Sequence, residues 1–473
     1  MSDSYQAALA FLYGRIDYER AVAMPYGSGE LKLDRMRDLL ARLDNPQDGL
    51  PIVHVAGTKG KGSTSAMIAS VLSAAGHSTG LFTSPHLERL EERFRIDGRP
   101  CSEDELAVLV DRLRPVVAEM DREAEAPGDA GPTYFELTTA VGLLHFAERR
   151  VAAAVLEVGL GGRLDSTNVC MPRVTVITSI SFDHMKQLGN TLEAIAREKA
   201  GIVKRGVPLV SGVTTEGPRL AIEEICRAQS APLVQLGRDF DYVYRAASSV
   251  DESPARSTID FVCRTQGREQ FERDVQVGLL GEHQGANAAV TLAVVDQLRD
   301  QGWSIAESAC RCGLADVNWP ARVEVIARRP TIILDSAHNV ASIAALVQTI
   351  SESFAVRERL LIFATTQEKQ IAEMLAALLP QFDRVIFTRY QNNPRGVPPD
   401  DLASFAREVS DLPIDVCPDP PAAWRRAQDL IAEDDLLCIT GSFFIAAEMR
   451  NQIMTHPLSL LSHRIGARRR LIL

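Results

Sequence analysis

The chain has 473 residues, 46% apolar and 24% charged, an ordinary globular mix that excludes disordered and fibrous classes. Its net charge of −11 argues against a dedicated nucleic-acid or anionic-membrane binder. At about 150 residues per domain the length suggests two or three units. No stretch approaches the roughly 20 apolar residues that span a bilayer. The first residues lack a basic region followed by an apolar run, so a cytoplasmic protein without a signal peptide is expected. The cysteines are scattered and none forms a CxxC pair, which reads as reduced thiols. Lysine is scarce: only Lys32, Lys59, Lys61, Lys186, Lys199, Lys204 and Lys369 stand among 51 basic residues. Most of them fall in the motif segments described below.

In chain order, β-branched runs at Ile52–Ala56, Ala153–Val158, Val174–Ser179, Thr331–Leu334, Leu360–Ala364, Val385–Thr388 and Leu436–Thr440 predict strands. Helical patterns follow most of them, at Ser63–Ala75, Thr191–Ile202, Ala341–Phe354 and Ile371–Leu379. Another helix is expected at Leu137–Arg149, with Thr133 and Glu136 in capping-box spacing ahead of it. This alternation is the βαβ signature of a mostly parallel sheet covered on both faces. Residues Ala124–Pro132 read as a surface loop. Phe240–Val277 alternates apolar and polar residues around Ser253–Ser257, which suggests an appended antiparallel hairpin. A helix is expected from about Asn287 to Gln301, and the tail Arg464–Leu473 reads as solvated or loosely docked. A boundary near Leu314–Asn318 divides a large domain, 1–317, from a smaller α/β domain, 318–473.

The chemistry begins at Gly57-Thr58-Lys59-Gly60-Lys61-Gly62-Ser63, which runs from the first strand into a helix. Strand, glycine-rich turn and helix N-terminus point backbone N–H groups at a phosphate chain, and Lys61 adds a point charge. Val55 and Gly62 depart from the ordinary P-loop pattern, so this is a variant nucleotide loop. Glu157 ends a strand ahead of Gly159-Leu160-Gly161-Gly162, and a carboxylate there points into the crevice where parallel sheets bind ligands.

The segment GTKGKGS, preceded by Val53-His54-Val55-Ala56, resembles the folylpolyglutamate synthase and dihydrofolate synthase family, within the Mur-type amide ligases. Further segments are similar to that family's motifs: Thr83-Ser84-Pro85-His86-Leu87, Thr133-Tyr134-Phe135-Glu136, Glu198-Lys199-Ala200-Gly201-Ile202, His283-Gln284-Gly285-Ala286-Asn287-Ala288, Asp335-Ser336-Ala337-His338-Asn339 and Thr440-Gly441-Ser442. The resemblance implies a P-loop-type, mostly parallel α/β domain with an antiparallel appendage, then a smaller Rossmann-like α/β domain. It implies ATP on Gly57–Ser63, Asn287, Arg322 and Asp335, and Mg²⁺ on Ser84, Glu157 and His184. Lys199 would be carbamylated, and only a neutral primary amine can accept CO₂. Phe135 would stack on a pterin ring, with Thr133 and Glu136 at its polar edge. His338 and Asp335 would sit toward a cleft, with Lys61, His184, Lys199 and His338 catalytic. Ala321 stands where the family usually has glycine, Val340 where it has proline, and Gln367-Glu368-Lys369 departs from its DKD.

The implied reaction is ATP-dependent amide ligation. A pteroate or folate carboxylate becomes an acyl phosphate, and the amine of L-glutamate displaces phosphate. Both dihydrofolate synthesis and folate extension are expected, by a monomer whose partners are small molecules. Two other readings stay open at this level: a ligase of the same class acting on a peptidoglycan-type precursor, and a nucleotide-gated binding module without ligation.

Overall fold

The computed structural model describes residues 2–19, 33–124, 131–247, 256–265, 268–367 and 369–456. Lys32, Glu368, the Arg464–Leu473 tail, residues 125–130 of the expected loop and Ser253–Ala255 of the expected turn lie outside them. The chain divides into two compact units. The first comprises Met1–Tyr244, Ile259–Val277 and Gln284–Val317. The second comprises Arg245–Thr258, Gly278–His283 and Asn318–Leu473.

The first unit carries an eight-stranded sheet of β1 (Ile52–Ala56), β2 (Thr79–Phe82), β3 (Phe94–Ile96), β4 (Arg99–Pro100), β5 (Ala153–Glu157), β6 (Val174–Ile177), β7 (Leu209–Ser211) and β8 (Leu233–Gln235). Their order is β4-β3-β2-β5-β1-β6-β7-β8. From β2 to β8 every pairing is parallel, whereas β3 and β4 add an antiparallel edge. β1, β5 and β6 are buried at every residue. Burial on both faces demands continuous apolar runs, and for that reason these strands are legible in sequence. β1 lies between β5 and β6, with Val55 opposite Glu157 and Ala56 opposite Ile177. The loops that leave these adjacent carboxyl ends therefore begin side by side.

Strands β9 (Phe240–Arg245), β10 (Ser257–Thr265) and β11 (Arg268–Val277) form a separate sheet in the order β11-β10-β9. The expected hairpin thus has a third strand. The helix expected from Asn287 spans Glu282–Asp300 instead, because the polar residues Glu282–Gln284 complete its first turn. The helix expected at Leu137 spans Tyr134–Glu148, with Thr133 as its N-cap.

The second unit is built on β12 (Glu324–Arg328), β13 (Thr331–Leu334), β14 (Arg359–Phe363), β15 (Arg384–Phe387), β16 (Ile414–Val416) and β17 (Leu436–Thr440), ordered β12-β13-β17-β14-β15-β16. Only β12 is antiparallel to its neighbour. One face of the sheet packs Ile333, Leu361, Phe363 and Phe387 against helices, together with Ala247 and Leu280 from earlier in the chain. The other face packs Ile332, Ile362 and Ile439 around Trp424. All cysteines are free thiols, and only Cys312 is exposed. No helix of the described residues is long and apolar enough to cross a membrane.

Trp424 is 1% exposed, and its indole N–H donates to the His456 carbonyl at 2.8 Å. Trp424→Ala opens a cavity and orphans that carbonyl, so a loss of about 3–5 kcal/mol is expected. Urea unfolding followed by circular dichroism would check it.

Candidate active site

Gly57 and Gly60 follow β1 with φ of 148° and 82°. A Cβ at Gly57 would fall 1.9 Å from Thr178 Oγ1, and one at Gly60 would fall 2.4 Å from Asn287 Oδ1. Both the dihedrals and the space therefore require glycine. The turn is bolted to the segment after β6: Thr58 N donates to the Ser179 carbonyl at 2.8 Å, and Lys59 N donates to Ser179 Oγ at 3.0 Å. Thr178 Oγ1 donates back to the Lys59 carbonyl at 2.6 Å. Gly60 caps the helix Lys61–Ala74, so Lys61, Gly62 and Ser63 form its first turn, where free N–H groups and the helix dipole favour an anion. Lys59 Nζ pairs with Asp183 at 3.0 Å. Asn287 Nδ2 donates to Gln284 Oε1 at 2.9 Å, which fixes the amide against the loop.

Lys199 reaches under this loop from the helix Leu192–Ala200 and donates to the Gly57 carbonyl at 2.9 Å. It is 4% exposed. Burial first, then the positive charge of Lys61, pull its pKa down to about 7, against the opposing Asp183 carboxylate. Half of such a group is a neutral amine at pH 7. Glu157, buried at the end of β5, accepts from Ser84 N at 3.3 Å, which draws the Ser84 loop to the strand end. A serine and a buried carboxylate at one point are hard oxygen donors, chemistry that fits Mg²⁺. His184 stands apart in character: its φ is 49°, its side chain is 54% exposed, and Nε2 lies 3.8 Å from the Asp183 carboxylate. Asp183 and Ser179 were not singled out in sequence, although both lie in the segment leading to His184.

Another group with metal-compatible donors, Cys101, Glu105 and His145, has its ligand atoms within 4.8 Å of one another. Its carboxylate is already used, since Glu105 accepts from Ser102 N at 2.7 Å in a helix cap and pairs with Arg149.

The Thr133–Glu136 capping box forms as the spacing predicts. Thr133 Oγ1 accepts from Glu136 N at 3.3 Å, and Glu136 Oε2 accepts from Thr133 N at 2.8 Å. Arg35 adds a contact at 2.9 Å, so the Glu136 carboxylate is held by the cap and by a guanidinium. Phe135 is half-buried, 6.1 Å from Phe82, and its ring lies on Gly159, where a Cβ would come within 2.5 Å. That close approach explains a glycine two residues past the end of β5.

In the second unit, Asp335 is buried at the end of β13. Its two oxygens accept from Val323 N at 3.0 Å and Ala337 N at 2.7 Å. Burial raises its pKa, with Arg322 and these N–H groups opposing. Arg322 lies between Ala321 and Val323, which have φ of 55° and 48°. Positive φ is a genuine outlier for a β-branched residue such as Val323. Arg322 donates to the Ala321 carbonyl at 2.9 Å and to Ser336 Oγ. His338 Nδ1 lies 2.9 Å from the Ser336 carbonyl and so carries the proton, leaving Nε2 as an acceptor when the ring is neutral. Val340 at the usual proline position starts its helix normally, because Asn339 caps it by accepting from Ser342 N at 3.0 Å. Ser442 caps the helix Phe443–Thr455.

Residues 55–295 match the Mur ligase middle domain, and residues 321–443 match the Mur ligase glutamate ligase domain. The dihydrofolate synthase/folylpolyglutamate synthase of Bacillus subtilis is 34% identical over 455 residues, covering 96% of this chain and 100% of that protein. The Mycobacterium tuberculosis protein of the same name is 35% identical over 393 residues, covering 80% of this chain and 77% of its own. Among solved structures, M. tuberculosis folylpolyglutamate synthase complexed with ADP superposes with a TM-score of 0.83 at 30% identity, covering 95% of this chain and 98% of that one. Escherichia coli FolC in complex with DHPP and ADP gives 0.79 at 27% identity, covering 96% and 99%. The chain belongs to the folylpolyglutamate synthase/dihydrofolate synthase family of Mur ligases.

Proposed function

We propose that the protein is an ATP-dependent, ADP-forming ligase. It joins L-glutamate to a pteroate or folate carboxylate, making dihydrofolate and also extending folates. The observation that carries this reading is the adjacency of β5 to both β1 and β2. That adjacency starts the phosphate loop, the Ser84 loop and the Glu157–Gly159 segment, on which the Phe135 ring rests, from neighbouring strand ends. The first domain, 1–317, would bind ATP and the acceptor, and the second, 318–473, would serve the incoming glutamate. A cytoplasmic monomer suits small-molecule substrates of this kind.

The obstacle in this reaction is charge, because ATP, the acceptor and glutamate are all anions. The helix N-terminus at Lys61–Ser63 and the Lys61 ammonium would hold the nucleotide phosphates, with Asn287 beside the loop. Arg322 and Asp335 would bind nucleotide, while His338 would offer a lone pair on Nε2. Ser84, Glu157 and His184 would hold Mg²⁺, which when bound neutralises charge on the transferring phosphoryl group. Phe135 would carry the pterin, with Thr133 and Glu136 keeping that wall rigid. Lys199, half neutral at pH 7, suits carbamylation: its nitrogen adds to CO₂, a proton leaves, and an anion results near Lys61.

Lys61→Ala is expected to lower kcat by at least about 10²-fold, read as ADP formation that requires both pteroate acceptor and glutamate. Turnover with a peptidoglycan-type precursor alone would overturn the folate assignment. Lys199→Ala should be inactive and partly restored by short carboxylates. At fixed dissolved CO₂ the wild-type active fraction should decline as pH falls below about 7, because protonation removes the reacting amine. Chelation should abolish ADP formation and added Mg²⁺ should restore it. Glu157→Gln should then need at least about tenfold more Mg²⁺, a shift measured by titrating activity against the metal.

A further inference from the structure

Cys101 follows β4 directly, and Glu105 stands in the first turn of the helix Glu103–Glu123. His145 stands in the last turn of the helix Tyr134–Glu148. Folding brings their thiol, carboxylate and imidazole together, with the ligand atoms within 4.8 Å of one another. Cys101 and His145 are each 4% exposed. The Cys101 backbone is fixed, its N–H donating to the Phe94 carbonyl at 2.8 Å, while Sγ makes only a long contact to the Ser102 carbonyl at 3.5 Å. Neither ring nitrogen of His145 makes a hydrogen bond among the described residues. A polar group buried without a partner is costly, and a cation at this point would supply the partner that the imidazole lacks. Burial first, then Arg149, lowers the His145 pKa against Glu105, which favours the neutral ring that ligates metals.

Glu105 keeps capacity for an ion beyond its place in the helix cap. Oε2 accepts from Ser102 N at 2.7 Å and Oε1 accepts from Arg149, whereas a carboxylate offers about four lone-pair sites. The Arg149 side chain is 57% exposed, so its guanidinium can turn to water when an ion arrives, and an exposed pair of this kind is weak. Bonds of about 2.3 Å to sulfur and about 2.0–2.2 Å to nitrogen or oxygen set the ligand atoms of one tetrahedral ion roughly 3.5 Å apart. The observed spread closes to that with small side-chain adjustments. We infer that Cys101, Glu105 and His145 form a cation site, different in chemistry from the Ser84–Glu157 pair, that takes a borderline-soft divalent ion of the Zn²⁺ class. The Sγ–H bond breaks as the Sγ–metal bond forms, the proton leaves to solvent, and three protein ligands leave the fourth position to water. Such an ion would join the start of one helix to the end of the other. Mg²⁺ would not compete, because a hard cation prefers oxygen ligands.

Titration of the untagged protein with Co²⁺ tests this site, since sulfur ligation gives a charge-transfer band in the near ultraviolet. Wild type should bind a single Co²⁺ with that band, and Zn²⁺ should bleach it while excess Mg²⁺ should not. Cys101→Ser should lose the band, whereas Cys312→Ser, at the exposed thiol, should keep it. A wild type without the band, a band that Mg²⁺ bleaches, or a band that follows Cys312 rather than Cys101 would overturn the inference. Circular dichroism reports whether each variant folds. If Cys101→Ser does not, the two remaining ligands decide: His145→Gln and Glu105→Gln should each raise the Co²⁺ Kd, read from the band, by at least about tenfold. An unchanged Kd in either variant would remove the three-ligand site. None of these readouts uses turnover, so they stand or fall separately from the ligase reading.

Discussion

The backbone of Gly57–Gly60 can pass between Thr178 and Asn287 only because neither glycine carries a Cβ. That close approach lets Thr178, Ser179 and Thr58 stitch the turn to the carboxyl end of β6. It also lets Lys199 reach the Gly57 carbonyl from below. A rigid turn keeps its remaining N–H groups aimed at one point, and preorganised dipoles lose no energy to reorientation when charge arrives. A flexible glycine loop of the same composition would offer the same groups without that advantage.

Burial determines how the cations around this turn divide their roles. Lys59 is partly exposed and pairs with Asp183. Lys199 is enclosed, with Lys61 nearby, and desolvation together with like charge drives it toward the neutral amine. Lys204, which carries no motif role, donates to the carbonyl and side chain of Asn168 at 3.0 and 2.7 Å and so braces the loop after β5. An acidic protein of net charge −11 can accept polyanions when its cations are gathered at one place.

At the Thr133–Glu136 turn, the hydrogen bonds that build the fold also fix the side chains proposed to meet the acceptor. The Glu136 carboxylate caps its own helix and binds Arg35, so its position is fixed before any substrate arrives. Phe135 rests on Gly159 at the end of β5, which couples the aromatic wall to the strand that carries Glu157. In the second unit a comparable economy appears at Asp335, whose oxygens hold the backbone N–H just after Arg322 and the one just before His338.

The central strands and the phosphate loop were legible because double-sided burial and phosphate approach each constrain several consecutive residues. The capping box at Thr133 and Glu136 was legible for the same reason, being a contact between near neighbours in the chain. The antiparallel edge β3–β4 was not, since strands of three and two residues carry little periodic signal. Asp183 was invisible as a partner because Lys59 lies 124 residues from it. Sequence by itself determined the family, the buried central strands of both sheets and the residue types available for phosphate, metal and amine chemistry. Tertiary structure alone decided that Lys199 is enclosed beneath the loop with its pKa drawn down to about 7, and that Glu157 faces the Ser84 backbone N–H. Those properties belong to burial and to contacts between distant segments, and neither exists until the sheet has brought the segments together.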